Sequence, residues 1–213
     1  MSRPAPQRGA LWALLAGNFV IGTGVMVVPG TLNEISASLA VQVATAGQLN
    51  SAAAFVMCLG APLLAAAVAG WDRRKLLALT LLWYAAWHVV AALVPSFGAL
   101  LPVRMLTVIA PAIFTPQAAA CASLLVPLEQ RGRAVTFVFL GWSMASVLGL
   151  PLGTWVGGHF GWRTAFIAIA VLSVLSAVWI WRQLPTGIRP PALTRAAWAQ
   201  VLRSPLLDRK SVV

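Results

Sequence analysis

The sequence predicts an all-α integral membrane protein, with six transmembrane helices forming one bundle, and three observations carry that expectation. Of 213 residues, 60% are hydrophobic and 9% charged, more apolar surface than a soluble chain of this length can bury. The apolar residues fall into six runs of about 18 to 25, and at 1.5 Å per residue each is long enough to cross roughly 30 Å of hydrocarbon. The basic residues cluster between the runs, mostly on alternate connections. Lipid offers backbone polar groups no partner, so a span is either a helix or a strand of a closed barrel; these runs lack the period-two alternation of barrel strands.

Residues 1–183 are expected to form the bundle, with spans at about 10–29, 47–69, 76–94, 100–125, 134–157 and 164–181. Span 1 follows Arg3 and Arg8 as the core of a signal peptide would. Its apolar run is too long for one and leads straight into further spans, so it reads as a retained helix. Span 2 carries Asn50, Ser51 and Cys58 and ends before Arg73, Arg74 and Lys75. Span 3 holds His88 near its middle, and span 4 holds Arg104 near its outer end, with Gln117 and Cys121 further in. Neither cysteine has a CxxC partner, and both read as small buried hydrophobes.

Span 5 has the most regular pattern. Gly141, Ala145, Gly149, Gly153 and Gly157 recur every four residues, a smooth stripe that lets another backbone approach closely. Pro151 interrupts it, so the stripe reads either as plain helix packing or as a sliding or hinging surface. Span 6 starts after Arg163. Beyond it, residues 184–193 are Pro-rich, 194–207 suit a short amphipathic helix on the cytoplasmic surface, and the chain stops where a seventh span is expected to begin. Residues 184–213 therefore read as a cytoplasmic linker and surface helix, truncated before that span.

The formal charge is +11, and its distribution argues against nucleic acid as a partner. Arg3, Arg8, Arg73, Arg74, Lys75, Arg131, Arg133, Arg182, Arg189, Arg195, Arg203, Arg209 and Lys210 share one predicted side, leaving Arg104 and Arg163 on the other. Basic connections stay in the cytoplasm, so both termini are expected there, with the bundle in the cell (inner) membrane. Trp12, Trp71, Trp162, Trp179 and Trp181 lie near span ends as interfacial anchors. Trp83, Trp87, Trp142 and Trp155 lie deeper, where they are able to line an interior.

Ionisable groups within spans are costly, roughly 2.5–3.5 kcal/mol at a helix centre, and few occur. Arg104 suits an anionic substrate group or an acid from another helix; its plain alternative is snorkelling to outer headgroups. His88 can exchange a proton near neutral pH, or else serve as a hydrogen-bonded packing residue. Asn18, Thr23, Asn50, Ser51 and Gln117 either line an aqueous path or bond between helices. All four acids, Glu34, Asp72, Glu129 and Asp208, lie in loops or the tail. Asp72 and Glu129 are expected to pair with neighbouring arginines. No nucleophile–base, metal-ligand or phosphate-cradle constellation is present, so no enzyme, cofactor or metal is expected.

Four segments in order resemble the N-terminal six-helix half of a major facilitator superfamily transporter, in the drug:proton antiporter and sugar-efflux branch. They are residues 21–41, 60–77 (GAPLLAAAVAGWDRRKLL), 103–120 (VRMLTVIAPAIFTPQAAA) and 147–166 (VLGLPLGTWVGGHFGWRTAF), and the likeness covers about residues 10–207. Gly60 and Arg73-Arg74-Lys75 match the family's cytoplasmic gating loop; Ala69 stands at its usual Asp, and Asp72 where Gly is common. Arg104 matches the family's membrane arginine, with Val108 where a glycine often follows. Gly149, Pro151 and Gly153 match the antiporter motif of helix 5.

The resemblance implies two inverted three-helix repeats, alternating access against a second bundle, and efflux of a small organic molecule such as a drug or sugar. Proton coupling is implied by resemblance alone, since Gly24-Val25-Met26 stand where relatives often carry a carboxylate. The family uses twelve helices, so the expected partners are lipid, a small-molecule substrate, and a missing C-terminal half or a second copy of the chain. The rival expectation is a six-span membrane protein without transport activity that serves as an interaction or assembly partner.

Overall fold

A computed structural model describes residues 5–189. Its helices are α1 (Ala5–Gly30), α2 (Leu32–Ser38), α3 (Val43–Ala46), α4 (Gln48–Ala67), α5 (Arg73–Leu93), α6 (Phe97–Thr107), α7 (Ile109–Leu124), α8 (Arg131–Met144), α9 (Leu150–Phe160) and α10 (Trp162–Gln183). A 3-10 turn (Leu128–Gln130) precedes α8 and a π turn (Ala145–Gly149) joins α8 to α9. The membrane-length helical stretches are Arg8–Gly30, Val43–Ala67, Arg73–Leu93, Phe97–Leu124, Leu128–Phe160 and Trp162–Gln183. Six spans were expected and six are present among the described residues; the fifth begins well before its expected start at 134. The expected surface helix at 194–207 lies outside the described residues.

Besides the division of span 2 into α3 and α4 at Gly47, spans 4 and 5 are interrupted, and prolines explain both interruptions. Pro111 has no N–H for the Thr107 carbonyl and its ring crowds that oxygen. Span 4 accordingly divides at Val108 into α6 and α7, and Trp83 donates its indole N–H to the Leu106 carbonyl at the break, 2.9 Å away. Pro151 likewise leaves an upstream carbonyl without a donor. The helix widens into the π turn just before it, a common accommodation.

The spans run up and down. At one end Gly9 lies so close to Gln183 that a Cβ there would collide with it, and Arg73 N–H donates to the Ile188 carbonyl at 3.0 Å. At the other end Arg163 reaches Ser38 (2.9 Å) and the Val94 carbonyl (3.2 Å), tying the loops after spans 1 and 3 to the start of span 6. The termini of the bundle and the 2–3 loop therefore share an end.

Span 1 is the axis of the bundle. Of its most apolar stretch 67% is buried, against 11% for span 2 and 22% for span 5. The small-residue stripe of span 5 explains how α1 comes so close. Gly141 faces the α1 backbone at Leu15 and Phe19, Ala145 faces Gly22, Gly149 faces Thr23, Gly153 faces Val27 and Gly157 faces Thr31. On a regular 3.6-residue helix a four-residue repeat drifts around the axis. The π turn holds more residues per turn and reduces that drift, keeping the stripe on α1 along its whole length.

Three expectations are corrected here. Trp162 is 2% exposed and lies under the Arg163 guanidinium, 4.3 Å from its ring centre, so it is a core residue rather than an interfacial anchor. Trp83 and Trp155 are 40% and 54% exposed and line no interior of this bundle. Cys58 is exposed on α4, whereas Cys121 is buried. On the same sparsely covered α4, Phe55, Leu59 and Leu63 also face outward.

Candidate functional site

Two groups of buried polar side chains gather on span 1. Arg104 is 3% exposed, and its two terminal nitrogens donate to the carbonyls of Gly24 (3.3 Å) and Val25 (3.2 Å). The local cause is Pro29. It stands four residues after Val25, lacks the N–H that would bond the Val25 carbonyl, and leaves that oxygen in need of a donor. Arg104 supplies one from α6. Snorkelling is corrected by this burial, and the terminal nitrogens are directed at main chain rather than at an acid.

Tyr84 seals the same place. Its hydroxyl donates to the Ile21 carbonyl at 3.1 Å, and it approaches α1 where Gly24 has no side chain; a Cβ at Gly24 would collide with the phenol. His88, 1% exposed, sits one turn further along α5, its Nδ1 2.9 Å from the Tyr84 carbonyl and its ring edge-to-face with Tyr84 at 4.2 Å. Tyr84 was not expected in the site, although the sole tyrosine of the chain, placed mid-span, was a signal to look for its partner.

A second group is centred on Asn18, at the middle of α1. Asn18 is fully buried, donates to the Val138 carbonyl at 3.2 Å and accepts from Thr115 at 3.1 Å. The Thr115 hydroxyl in turn accepts from the Trp142 indole at 3.1 Å. The Ser146 hydroxyl, exposed, lies 3.2 Å from the Trp142 carbonyl and 3.4 Å from the Met26 sulfur. Asn18, Thr115 and Trp142 thus tie spans 1, 4 and 5, and Thr115, Trp142, Ser146 and Met26 form a partly open polar strip. Thr23 is buried and donates to its own Phe19 carbonyl, filling the space opposite Gly149. Gln117 is 7% exposed and Asn50 half-buried; neither joins these two groups.

The loop between spans 2 and 3 is built differently from the expectation. Gly60 lies inside α4, about two turns before the loop, with only Leu64 near it. Asp72 caps α5 by accepting from the Lys75 N–H at 3.2 Å, and it also accepts from the Gly187 N–H at 2.6 Å. It is thus a backbone cap rather than the expected arginine partner. Arg73 is buried and donates to the Val68 and Ala69 carbonyls at the end of span 2, both at 3.3 Å. Arg74 stacks on Trp181, 4.5 Å from its ring centre, and Lys75 is exposed.

Together these contacts fasten the chain leaving α10 onto the 2–3 loop. Gly187 has a φ of +84°, a conformation only glycine adopts without strain. Burial opposes ionisation of Asp72. The N–H groups of Gly187, Lys75 and Arg74 and the charge of Arg189 outweigh it and hold the carboxyl below its ordinary value of 3.8. A carboxyl lowered in the folded state stabilises fully above its free value, and the contribution is lost as pH falls through the folded value. The clasp is therefore expected to be constant through neutral pH and to loosen in acid. Asp72→Ala is expected to speed hydrogen exchange at the Gly187 amide several-fold at neutral pH; an unchanged rate would show that the carboxylate does not hold it.

An up-and-down bundle of six apolar helices, with its polar side chains drawn onto an axial first span, defines a multi-pass membrane protein of transporter architecture. The chain belongs to the major facilitator superfamily, whose family model matches residues 14–210. It is 36% identical over 184 residues to a chloramphenicol resistance protein of Streptomyces lividans, covering 86% of this chain and 47% of that one. It is 31% identical over 189 residues to a probable sugar efflux transporter of Helicobacter pylori, covering 89% and 48%. Among solved structures it resembles a proton:xylose symporter (TM-score 0.74, 14% identity, 84% of this chain and 45% of that one). A bacterial homologue of the lysosomal transporter Spinster is also similar (0.71, 21%, 92% and 47%). The chain spans about half the length of the curated relatives it matches. These relatives carry resistance and efflux names rather than enzymatic ones.

Proposed function

We propose that the chain supplies the N-terminal bundle of an efflux transporter that works by alternating access, moving a small organic molecule out of the cell. The observation that carries this reading is the uneven covering of the bundle within a family of transporters. Spans 2 and 5 are left 11% and 22% buried in their apolar stretches, while the polar strip of Thr115, Trp142, Ser146 and Met26 opens beside span 5. A second bundle, either a C-terminal half or a second copy of the chain, covers spans 2 and 5 and closes the path. Asn50, half-buried, belongs to the path side of this half; Asn18, Thr23 and Gln117, buried within it, belong with Arg104 and His88 to its internal support. The 2–3 loop with Asp72, Arg73, Arg74 and Lys75 forms the cytoplasmic gate. Gly149, at the end of the π turn, and Pro151 and Gly153 just after it are the hinge on which span 5 moves against span 1.

The one acid within a membrane-length stretch is Glu129, in the 3-10 turn at the very start of span 5, so a proton-coupling carboxylate deep in the membrane comes from the other half. Chloramphenicol is the first cargo to test, because it is named by a relative at 36% identity. In an efflux-deficient bacterium, the full-length gene is expected to raise chloramphenicol tolerance or lower its accumulation, and a sugar and drug panel ranks other cargo. The chain is also purified in mild detergent. A monomer without efflux of any panel compound, alone or paired with a C-terminal half, would leave an assembly role as the surviving reading.

Orientation is tested separately. With native cysteines replaced, Ser38→Cys is expected to react with an impermeant maleimide from outside whole cells, and Lys75→Cys only after lysis. The reverse pattern would overturn a cytoplasmic clasp.

A further inference from the structure

Beside span 1 lies a small enclosed pocket whose wall carries three polar side chains, His88, Arg104 and Thr107, in a surround that is otherwise apolar and includes Val28, Leu100 and Phe166. It leaves about 10 Å³ for the centre of a water-sized molecule, roughly what one water requires. His88 and Arg104 are 1% and 3% exposed. Each has one buried polar atom without a protein partner, Nε2 of His88 and Nε of Arg104.

The polar atoms are complementary. His88 Nδ1 lies 2.9 Å from the Tyr84 carbonyl oxygen, which can only accept, so Nδ1 carries the hydrogen and Nε2 presents a lone pair. Arg104 Nε is only a donor. Thr107 Oγ1 donates to the Val103 carbonyl at 2.8 Å and keeps lone pairs to accept with. The three residues that line this water-sized space thus offer one donor and two acceptors, the complement of a water that accepts once and donates twice, the usual three bonds of a buried water. An anion would meet the His88 lone pair. An imidazolium would set a second positive charge against the guanidinium in a wall with no carboxylate.

We propose that this pocket is a binding site for a single ordered water that accepts from Arg104 Nε and donates to His88 Nε2 and Thr107 Oγ1. His88 is thereby a positioning residue for Arg104 and not a proton carrier. The Arg104 guanidinium is then held on both sides, by the span 1 carbonyls through its terminal nitrogens and by the bridged imidazole through Nε. The proposal stands without the transport reading, since it concerns only how spans 3 and 4 hold span 1.

The test uses the unaltered chain, labelled with ¹⁵N-histidine, in lipid nanodiscs. Nuclear magnetic resonance is expected to show His88 as the Nδ1–H tautomer with an accepting Nε2, unchanged across neutral pH, and a magnetisation transfer from a slowly exchanging water to its ring. An Nε2–H tautomer, an imidazolium at neutral pH, or a ring with no nearby water would overturn the proposal. His88→Gln, whose amide oxygen can take the same hydrogen, is expected to keep a melting temperature closer to that of the native chain than His88→Leu. Equal losses in the two variants would also overturn the bridge.

Discussion

Gly141→Leu is expected to leave almost no folded, monodisperse protein. A Cβ at this position would strike the Leu15 carbonyl oxygen and lie 2.8 Å from the Phe19 amide nitrogen and 2.9 Å from Asn18 Cβ. The first two are main-chain atoms of the most buried helix, so no rotamer change relieves the clash. Overpacking against movable side chains costs about 1–3 kcal/mol; pushing back a helix axis costs more, because everything seated on that helix moves as well. The Asn18 bond to the Val138 carbonyl is the nearest loss, followed by the Thr115 and Trp142 bonds it supports. Gly132→Leu is the control. It lies on the same α8 with nothing within 4 Å of the added carbon, and removing a helix glycine there is expected to be neutral or to stabilise by roughly 0.5–1 kcal/mol. Size-exclusion profiles and melting curves in detergent read both variants; a native profile for Gly141→Leu would show that span 5 does not seat on span 1 through this stripe.

The spans were legible because a bilayer imposes one length and one backbone solution on each of them. Which span becomes the axis was not legible. Mean hydropathy runs only from 1.7 to 2.2 across the six, whereas the buried share of those same stretches runs from 11% to 67%. Lipid and protein interior are both apolar, so a hydrophobic average does not separate the residues that face one from those that face the other. The stripe of small residues on span 5 did carry information about close approach. It could not name its partner, which the structure identifies as span 1.

The site was legible in its charges and not in their partners. Arg104 stood out as a cation in a span, but carbonyl oxygens leave no mark in a sequence. The one trace was Pro29, four residues beyond Val25, whose missing N–H marks an oxygen that needs a donor. Asp72 illustrates a different shortfall. An Asp immediately before a helical run is a capping signal, yet its charge drew attention to the arginines beside it, and the backbone claimed the carboxylate. Gly187, its second donor, sits over a hundred residues away, and no local pattern connects the two. Pro151 was visible as a weak point of span 5, and Pro111 is a proline of the same kind in span 4. That one produces a break and the other a π turn depends on which neighbours can satisfy the freed carbonyls.

Arg104→Ala is expected to lower the melting temperature of the bundle and, under the proposed efflux function, to abolish transport by the assembled transporter, and Pro29→Ala is expected to restore part of the loss. Two effects oppose each other in the single variant. Removing a buried guanidinium recovers its desolvation penalty, which for a charge this well enclosed is several kcal/mol. Against that, the Val25 carbonyl is left without a donor, at about 1–3 kcal/mol, the Gly24 bond is lost, and the departing side chain leaves a space that its neighbours fill only in part. The guanidinium also brings spans 1 and 4 into register through two carbonyls at once, a geometry that Lys cannot reproduce with one ammonium, so Arg104→Lys is expected to fall short as well. Pro29→Ala provides the N–H that the Val25 carbonyl lacks and so removes the main reason for recruiting a donor from α6. In a double-mutant cycle the two substitutions are therefore expected to couple favourably by about 1 kcal/mol, within the range for groups that share a partner. Additive melting shifts would detach Arg104 from the proline. A recovery of stability without a recovery of transport would show that the guanidinium does more in the transport cycle than satisfy a carbonyl.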